Sequence, residues 1–229
     1  MKKSTRIRLL IGGIVFTLTV LIIFEIKKAS ITDKEIFTDI HLSNVWGGGS
    51  GLGSKVENAR PFLAYLQKFI NSTEIKSIVD IGCGDWELMR EIKIPEHIQY
   101  LGLDIVDHII AQNQSKYTRH NVKFKSVDSL EELSSYTGDL LILKDVMQHW
   151  SKEKIFYAID KIIPNFKYAI LVNDIELEKV DGLDSRTGYN RILDLESAPF
   201  SMKLRLIMDY DVPPTDKKRI YLYVKADQN

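Results

Sequence analysis

The chain has 229 residues, of which 45% are hydrophobic and 27% are charged, enough for one globular domain with a full core. Its 31 basic and 31 acidic side chains give a formal net charge of zero, which argues against nucleic acid as a partner. The single cysteine, Cys83, excludes an internal disulfide and a four-cysteine zinc site.

The N-terminal segment predicts a membrane anchor. Residues 9–24 carry no charge, and basic side chains flank this apolar run on both sides. As a helix the run would be about 24 Å long, a little short of the ~30 Å hydrocarbon core of a bilayer. We expect residues 1–28 to form a single-pass membrane helix, rather than a cleaved signal peptide or a buried globular helix.

Residues 29–53 are predicted to be a juxtamembrane segment that ends in a glycine-rich loop. The stretch NVWGGGSGLGSK, residues 44–55, contains five glycines. It is not a phosphate-binding P-loop, because it follows no predicted strand and lacks a Gly-Lys-Ser/Thr sequence. Two interpretations stay open: a lid over a ligand cleft with Trp46 as a stacking residue, or a flexible linker.

Residues 54–229 are predicted to form one α/β domain. Its first helix is predicted over residues 54–70, with a capping box of Ser54 and Glu57 at its start. Pro61 is either a kink in this helix or its true start. Apolar runs and helical stretches such as SKEKIFYAIDKII then alternate, which indicates parallel strands covered on both faces. The five runs are KSIVDIGCG, YLGLDIV, NVKFKSVD, GDLLILKDV and KYAILVNDI.

The end of the chain predicts two antiparallel strands, MKLRLIMDY and KRIYLYVKA, separated by a turn-rich stretch. Together with the five earlier runs they make a mostly parallel sheet of seven strands. The predicted fold class is therefore α/β and doubly wound, with an N-terminal hydrophobic helix.

Each of the five predicted parallel strands ends in an acidic residue. One acid at a strand end is ordinary turn chemistry, but five at the same edge of a sheet predict one polar cleft. In open α/β sheets, ligands bind beyond the carboxyl ends of the strands. The five acids are Asp80, Asp104, Asp128, Asp145 and Asp174.

The stretch VDIGCGDW predicts a nucleoside site. Gly82 and Gly84 permit a sharp turn and the close approach of a ligand to the backbone. A dinucleotide-binding motif would need a third glycine where the chain has Glu87, which counts against NAD. Asp104 lies 24 residues after Asp80, at a spacing that predicts a carboxylate bound to ribose hydroxyls.

At this point the chain resembles a known family. The stretches IVDIGCGDW, YLGLDIV, KFKSVD and DLLILKDVMQHW are similar, in order and spacing, to successive motifs of class I S-adenosylmethionine-dependent methyltransferases, over residues 54–225. The resemblance implies a Rossmann-like fold, S-adenosyl-L-methionine as the cofactor, and methyl transfer as the activity.

The resemblance also implies roles for individual residues. Asp80, Gly82 and Gly84 would line the methionine end of the cofactor, and Asp104 would hold its ribose. Asp128 would bind the adenine amino group, with Ser129 or Val127 beside it. Trp86 stands where many members carry a third glycine, and we expect it to wall the cofactor pocket. Neighbours of these residues complete the expected cofactor site: Cys83, Ile105 and Lys144.

Two candidate catalytic bases are Asp145 and His149, which would lie one helical turn apart if this segment is helical. His149 has an equally good interpretation as a polar residue packed by Trp150. A further alternative is a magnesium site formed by Asp145, Asn173 and Asp174, as in catechol O-methyltransferases. We expect no metal, because that family has the acid before the amide at this strand end.

The acceptor stays open in the sequence. A small molecule is one candidate, and the predicted anchor adds a lipid-linked or membrane-associated one. The residues Arg186, Tyr189 and Arg191 would bind an anionic acceptor, or lie in a solvated loop. Because S-adenosylmethionine is a cytosolic metabolite, we expect the domain to face the cytosol, although the basic N-terminal flank favours the opposite side.

Two other function classes also stay open. One is a non-catalytic nucleoside-binding or scaffold protein on the same fold. The other is a nucleotide-dependent oxidoreductase, which Glu87 disfavours.

Overall fold

The computed structural model describes residues 31–176 and 187–226 of the chain. In this part, one sheet of seven strands forms the centre of the molecule. The strands are β1 (Ser77–Ile81), β2 (Gln99–Asp104), β3 (Val122–Ser126), β4 (Gly138–Lys144), β5 (Phe166–Glu176), β6 (Arg205–Val212) and β7 (Asp216–Val224).

The strand order in the sheet is β3-β2-β1-β4-β5-β7-β6. Strands β1 to β5 are parallel, β7 runs antiparallel to β5, and β6 runs antiparallel to β7. The predicted doubly wound, mostly parallel sheet and its two antiparallel closing strands are therefore confirmed. The order reverses at β1, which pairs with both β2 and β4, and ligands bind at such a switch point in open α/β sheets.

The helices lie between the strands and in front of β1. The α-helices are α1 (Asp33–Leu42), α2 (Arg60–Ser72), α3 (Asp107–Tyr117), α4 (Leu130–Leu133) and α5 (Lys152–Tyr157). Helix α5 continues through a π-helical turn, Ala158–Ile162, into a 3₁₀ turn, Ile163–Asn165. Short 3₁₀ turns also occur at Leu52–Ser54, Met89–Glu91 and Met147–His149.

Helix α2 begins at Arg60 and not at the predicted capping box. Ser54 lies in a 3₁₀ turn, and Ala59 precedes the helix without a side-chain cap. The helix thus begins one residue before Pro61, which lies in its first turn, where the missing N–H and fixed φ of proline are tolerated. The residues of the predicted capping box therefore precede the helix and do not cap it.

The core lies on both faces of the central strands. On one face, Ile78 of β1 and Ile142 of β4 pack with Phe62 and Leu66 of α2. On the other face, residues of β4 and β5 pack with Ile155 of α5. Strands covered on both faces must be apolar throughout, which explains the continuous apolar runs of the sequence.

The predicted membrane location needs correction. Among residues 31–176 and 187–226, no helix has the length and apolar character required to cross a bilayer. The apolar run of residues 9–24, and with it the predicted N-terminal hydrophobic helix, lies outside the described residues. The single-pass anchor is therefore not supported, and neither is the lipid-linked acceptor inferred from it.

Candidate functional site

A cleft lies at the carboxyl ends of the parallel strands. Its volume is about 930 Å³, which includes the solvent space at its open mouth. Its inner wall comes from the residues that follow β1, β2, β3 and β4. Its outer wall comes from α1 and from the glycine-rich segment, residues 44–54, which we call the glycine-rich cover. The outer-wall residues are Asp33, Phe37, His41, Trp46, Ser50 and Ser54.

The turn after β1 requires its glycines. Gly82 and Gly84 have φ of 74° and 54°, in the left-handed region that favours glycine. A Cβ on Gly82 would lie 2.4 Å from Cγ2 of Val146, and one on Gly84 would lie 2.2 Å from Oγ of Ser50. The turn therefore packs tightly against the loop after β4 and against the glycine-rich cover.

The Asp104 carboxylate is fixed at the end of β2. Its Oδ2 accepts a hydrogen bond from the backbone N–H of Gly84, and its Oδ1 accepts one from that of Val106, both at 3.0 Å. Asp104 is buried and lines the cleft, and burial raises its pKa. Each carboxylate oxygen keeps a second lone pair, so the group can also accept two hydroxyl protons from a ligand.

Asp80 and Cys83 line a smaller pocket that adjoins the main cleft. Ser50, Ser54, Gly82 and Lys144 contribute to both cavities. The Tyr100 hydroxyl donates to Oδ2 of Asp80 at 2.5 Å, and burial raises the pKa of Asp80 to about 7. A cationic group that entered this pocket would therefore meet a buried carboxyl.

Trp86 lies in the core and does not line either cavity. Its ring packs against Tyr100, Tyr117 and Phe124 at centroid distances of 5.1–5.7 Å. The residue has φ of 60°, and its indole is buried in the core cluster that contains these rings. Its position therefore does not support the expectation that Trp86 walls the cofactor pocket.

The residues after β2 and β3 form the open end of the cleft. Ile105, Asp128 and Ser129 line it, as the motif resemblance implied. The exposed Asp128 carboxylate pairs with Lys34 of α1 at 2.7 Å. Apolar side chains of α4 that the sequence analysis did not single out, Leu130 and Leu133, complete this wall. Their helix is only four residues long, too short to show an apolar face in the sequence.

The glycine-rich cover lies over the cleft, as expected of a lid. Trp46 stacks on His149, with ring centroids 5.0 Å apart and an interplanar angle of 29°. At the other end of the cover, the Lys144 ammonium donates to the carbonyl oxygen of Gly53 at 2.9 Å. These contacts across the cleft favour the lid interpretation over the linker interpretation.

A buried cluster of four charges lies beneath the cover. Oδ2 of Asp145 is 2.5 Å from Nζ of Lys144, and Oδ1 is 2.8 Å from Nζ of Lys218 on β7. Lys218 also pairs with Asp174 of β5. Burial would raise the pKa of Asp145, but the two ammonium groups hold it well below its usual range. A carboxylate paired in this way is a poor base.

Lys218 and Gln148 belong to this site, although no sequence motif predicted them. Gln148 donates from Nε2 to Asp174 at 2.6 Å and accepts from the Asp174 backbone N–H at 2.9 Å. Lys218 is directly opposite Asp174 in the β5–β7 register. The sequence carried no clear signal for Lys218, because it lies between Lys217 and Arg219 in a basic stretch at the start of β7.

His149 lies at the closed end of the cleft. It is buried, and burial lowers the pKa of its imidazole to about 4. Its Nδ1 lies 3.2 Å from the carbonyl oxygen of Tyr189. A carbonyl only accepts, so this contact assigns the proton to Nδ1 and leaves Nε2 with a free lone pair. Asp145 and His149 line one cleft, but on a loop and a 3₁₀ turn instead of one α-helical turn.

The alternative metal site does not assemble. Asn173 and Asp174 are consecutive in β5, so their side chains point to opposite faces of the sheet. The Lys218 ammonium lies between Asp145 and Asp174, where a metal ion would need to bind them. Within the described residues, no group of three His, Cys, Asp or Glu side chains is placed to hold a metal ion.

The predicted acceptor loop is only partly described. Arg186 lies outside the described residues. Tyr189 is exposed, whereas Arg191 is buried and its Nε donates to the carbonyl oxygen of Gln148 at 3.3 Å. Arg191 therefore braces the loop that carries His149 and is not presented to a ligand.

The chain was compared with known families, proteins and structures. No family model and no curated protein sequence matches it. The N-methyltransferase NodS of Bradyrhizobium japonicum WM9, solved with S-adenosyl-L-homocysteine, is 11% identical with a TM-score of 0.52, over 74% of this chain and 89% of that one. The N-terminal domain of EvdMO1, solved with SAH and D-fucose, is 12% identical with a TM-score of 0.51, over 74% and 84%.

Magnesium protoporphyrin IX methyltransferase from Synechocystis PCC 6803, solved with bound SAH, is 15% identical with a TM-score of 0.50, over 74% of this chain and 83% of that one. Identities this low establish the fold and not the activity. The chain has the fold of the class I S-adenosylmethionine-dependent methyltransferases, as its motifs implied.

Proposed function

We propose that the protein is an S-adenosylmethionine-dependent methyltransferase that acts on a small-molecule acceptor. The observation that carries this proposal is the Asp104 carboxylate, which two backbone N–H groups fix in the wall of the cleft. In this fold, a carboxylate at the end of β2 is where a ribose would donate its two hydroxyl protons.

The remaining cleft residues fit the same cofactor. Ile105, Leu130 and Leu133 offer an apolar surface for a purine, and Asp128 at the mouth offers an acceptor for its amino group. At the other end, the smaller pocket with Asp80 offers a buried carboxyl to an α-amino group. A nucleoside joined to an amino acid would thus meet matching groups along its whole length.

S-adenosylmethionine supplies a methyl group that its positive sulfur has already activated. The protein then needs to align the acceptor and to take up its proton. His149 is the better base of the two candidates, because Nε2 keeps a lone pair while Asp145 is held in two ion pairs. Asp145 would orient the loop at this end of the cleft.

The acceptor that fits the cleft is small and apolar. Phe37 and Trp46 of the outer wall and His149 and Trp150 of the inner wall surround the closed end. The Asp145 carboxylate at this end is paired with Lys144, and the Asp33 carboxylate of the outer wall is paired with Lys154. A flat neutral molecule would stack on these rings with little desolvation of charge, and the cover would exclude a bulky polymer.

The test is a calorimetric titration of the full chain with S-adenosyl-L-homocysteine, and separately with NAD. Micromolar binding of the first compound and not of the second is the expected result. Tighter binding of NAD would instead favour a nucleotide-dependent oxidoreductase. Methyl transfer from labelled S-adenosylmethionine to a panel of neutral phenols, amines and thiols then tests catalysis. Binding without transfer to any of them would favour a non-catalytic nucleoside-binding protein.

A further inference from the structure

The glycine-rich cover rests on the buried four-charge cluster through a backbone contact. Gly53 lies so close that a Cβ on it would be 2.5 Å from Cε of Lys218 and 2.9 Å from Oδ2 of Asp145. Its carbonyl oxygen accepts from Lys144 at 2.9 Å. A side chain at this position would collide with the cluster unless the cover or the Lys218 side chain moved.

The cluster itself is held in one arrangement from below. Asp145 has φ of 59°, a left-handed conformation that is strained for a non-glycine residue and needs support from its surroundings. Lys218 supplies that support through its contact with Asp145. Lys218 is buried in turn between Asp145 and Asp174, and Gln148 fixes the second oxygen of Asp174.

The position of Lys144 depends on the same arrangement. Asp145 contacts one ammonium group with each of its carboxylate oxygens, and this arrangement keeps Lys144 directed at Gly53. Removing the Lys218 charge would leave Asp145 with one cationic partner and Asp174 with none among the described residues, which is costly for buried carboxylates. The loop after β4 would then rearrange, and the hydrogen bond from Lys144 to the Gly53 carbonyl oxygen would be lost.

We propose that Lys218 is a positioning residue that fixes Asp145 and Lys144 as a latch for the glycine-rich cover. In the closed state, Gly53 is bound on this latch and Trp46 lies over His149. The charge on β7, in a part of the chain remote from every cofactor motif, thereby controls how long a ligand stays in the cleft. The proposal rests on the proposed function only where S-adenosylhomocysteine is used as the probe.

The first test measures opening of the cover in the full chain without ligand. Hydrogen exchange, read by mass spectrometry on peptides that span residues 47–55, reports the Ser54 and Lys55 amides, which are hydrogen-bonded to Gly51 and Leu52. Lys218→Met is expected to speed this exchange by about tenfold or more, since a charge-assisted contact is lost. The matched control is Lys217→Met, which changes an exposed lysine of the same strand.

A second variant keeps the test decisive if Lys218→Met fails to fold. Gly53→Ala keeps all four charges of the cluster and adds one methyl group at the contact. It should speed exchange of the same peptides and leave the thermal unfolding temperature near that of the wild type. Its control is Val45→Ala, which shortens an exposed side chain of the same cover.

The same variants should release S-adenosylhomocysteine about tenfold faster in stopped-flow dissociation, with the controls unchanged. Unchanged exchange at residues 47–55 in a folded Gly53→Ala variant would overturn the latch. Failure of the wild type to bind S-adenosylhomocysteine would overturn the proposed function instead, and the exchange experiment on the free protein would still decide the latch.

Discussion

The replacement of Asp104 by asparagine tests the cofactor site most directly. Asparagine keeps the size of the side chain but offers one acceptor oxygen instead of two and presents an NH₂ group to one of its partners. In the wild type, each Asp104 oxygen accepts one backbone N–H and has room for one ligand hydroxyl. The variant should therefore lose up to two charge-assisted hydrogen bonds to the ribose.

The expected loss of binding is large. Two charge-assisted hydrogen bonds at about 1.5 kcal/mol each correspond to about 3 kcal/mol, or roughly a hundredfold in the Kd of S-adenosylhomocysteine. The stability should fall less, by about 1–3 kcal/mol, because one of the N–H groups of Gly84 and Val106 loses its acceptor. Burial raises the pKa of Asp104, so the neutral amide also relieves the cost of a buried charge.

Isothermal calorimetry on the full chain measures this effect, with thermal unfolding followed in parallel. The control is Asp160→Asn, which removes an exposed carboxylate from the π-helical turn after α5. A folded Asp104→Asn variant that binds S-adenosylhomocysteine within twofold of the wild type would refute the ribose assignment. Equal losses in the Asp160 control would show a general charge effect instead.

Three further predictions follow from the site. Burial lowers the pKa of His149 to about 4, below its ordinary value, so the unfolded state takes up the proton first as the pH falls. Between pH 7 and pH 5 the wild type should therefore lose about 2 kcal/mol more stability in urea unfolding than His149→Gln, and equal losses would contradict the burial argument. Burial raises the pKa of Asp80 to about 7, so this carboxyl ionises as the pH rises from 6 to 8. Calorimetry should show the Kd of S-adenosylhomocysteine falling by up to about tenfold over this range, because its α-amino group then meets an ionised carboxylate. Asp80→Asn should abolish this pH dependence. Finally, Gly82→Ala should destabilise the fold by about 1–3 kcal/mol in the same urea assay, because of its positive φ and the contact with Val146. The double variant with Val146→Ala should recover only the part due to the contact, and full recovery would show that the backbone is unstrained.

Much of the fold could be read from local patterns. Parallel strands covered on both faces must be apolar throughout, so runs such as that of β4 predicted the sheet without knowledge of its partners. The turn after β1 could also be predicted, because Gly82 and Gly84 adopt φ values that other residues rarely tolerate. The position of Asp104 followed from its distance along the chain from the same turn.

Other features depended on competing local signals. Ser54 and Glu57 have capping-box spacing, but the helix begins at Arg60, because Pro61 suits only the first turn of a helix. The motif suggested a place for Trp86 in the cofactor pocket, yet its ring packs in an aromatic cluster with Tyr100, Tyr117 and Phe124. In both cases the sequence offered two structures, and packing selected one.

The sequence by itself determined the sheet, the glycine turn and the line of acids at the strand ends, because each depends on residues close together in the chain. Only the tertiary structure decided how those acids are used. Lys218 meets Asp174 through the register of two antiparallel strands, and it reaches Asp145 across the end of the sheet. Such a register depends on how whole strands pack, so no local pattern around Lys218 could show that its charge neutralises Asp145 or that Gly53 rests against it.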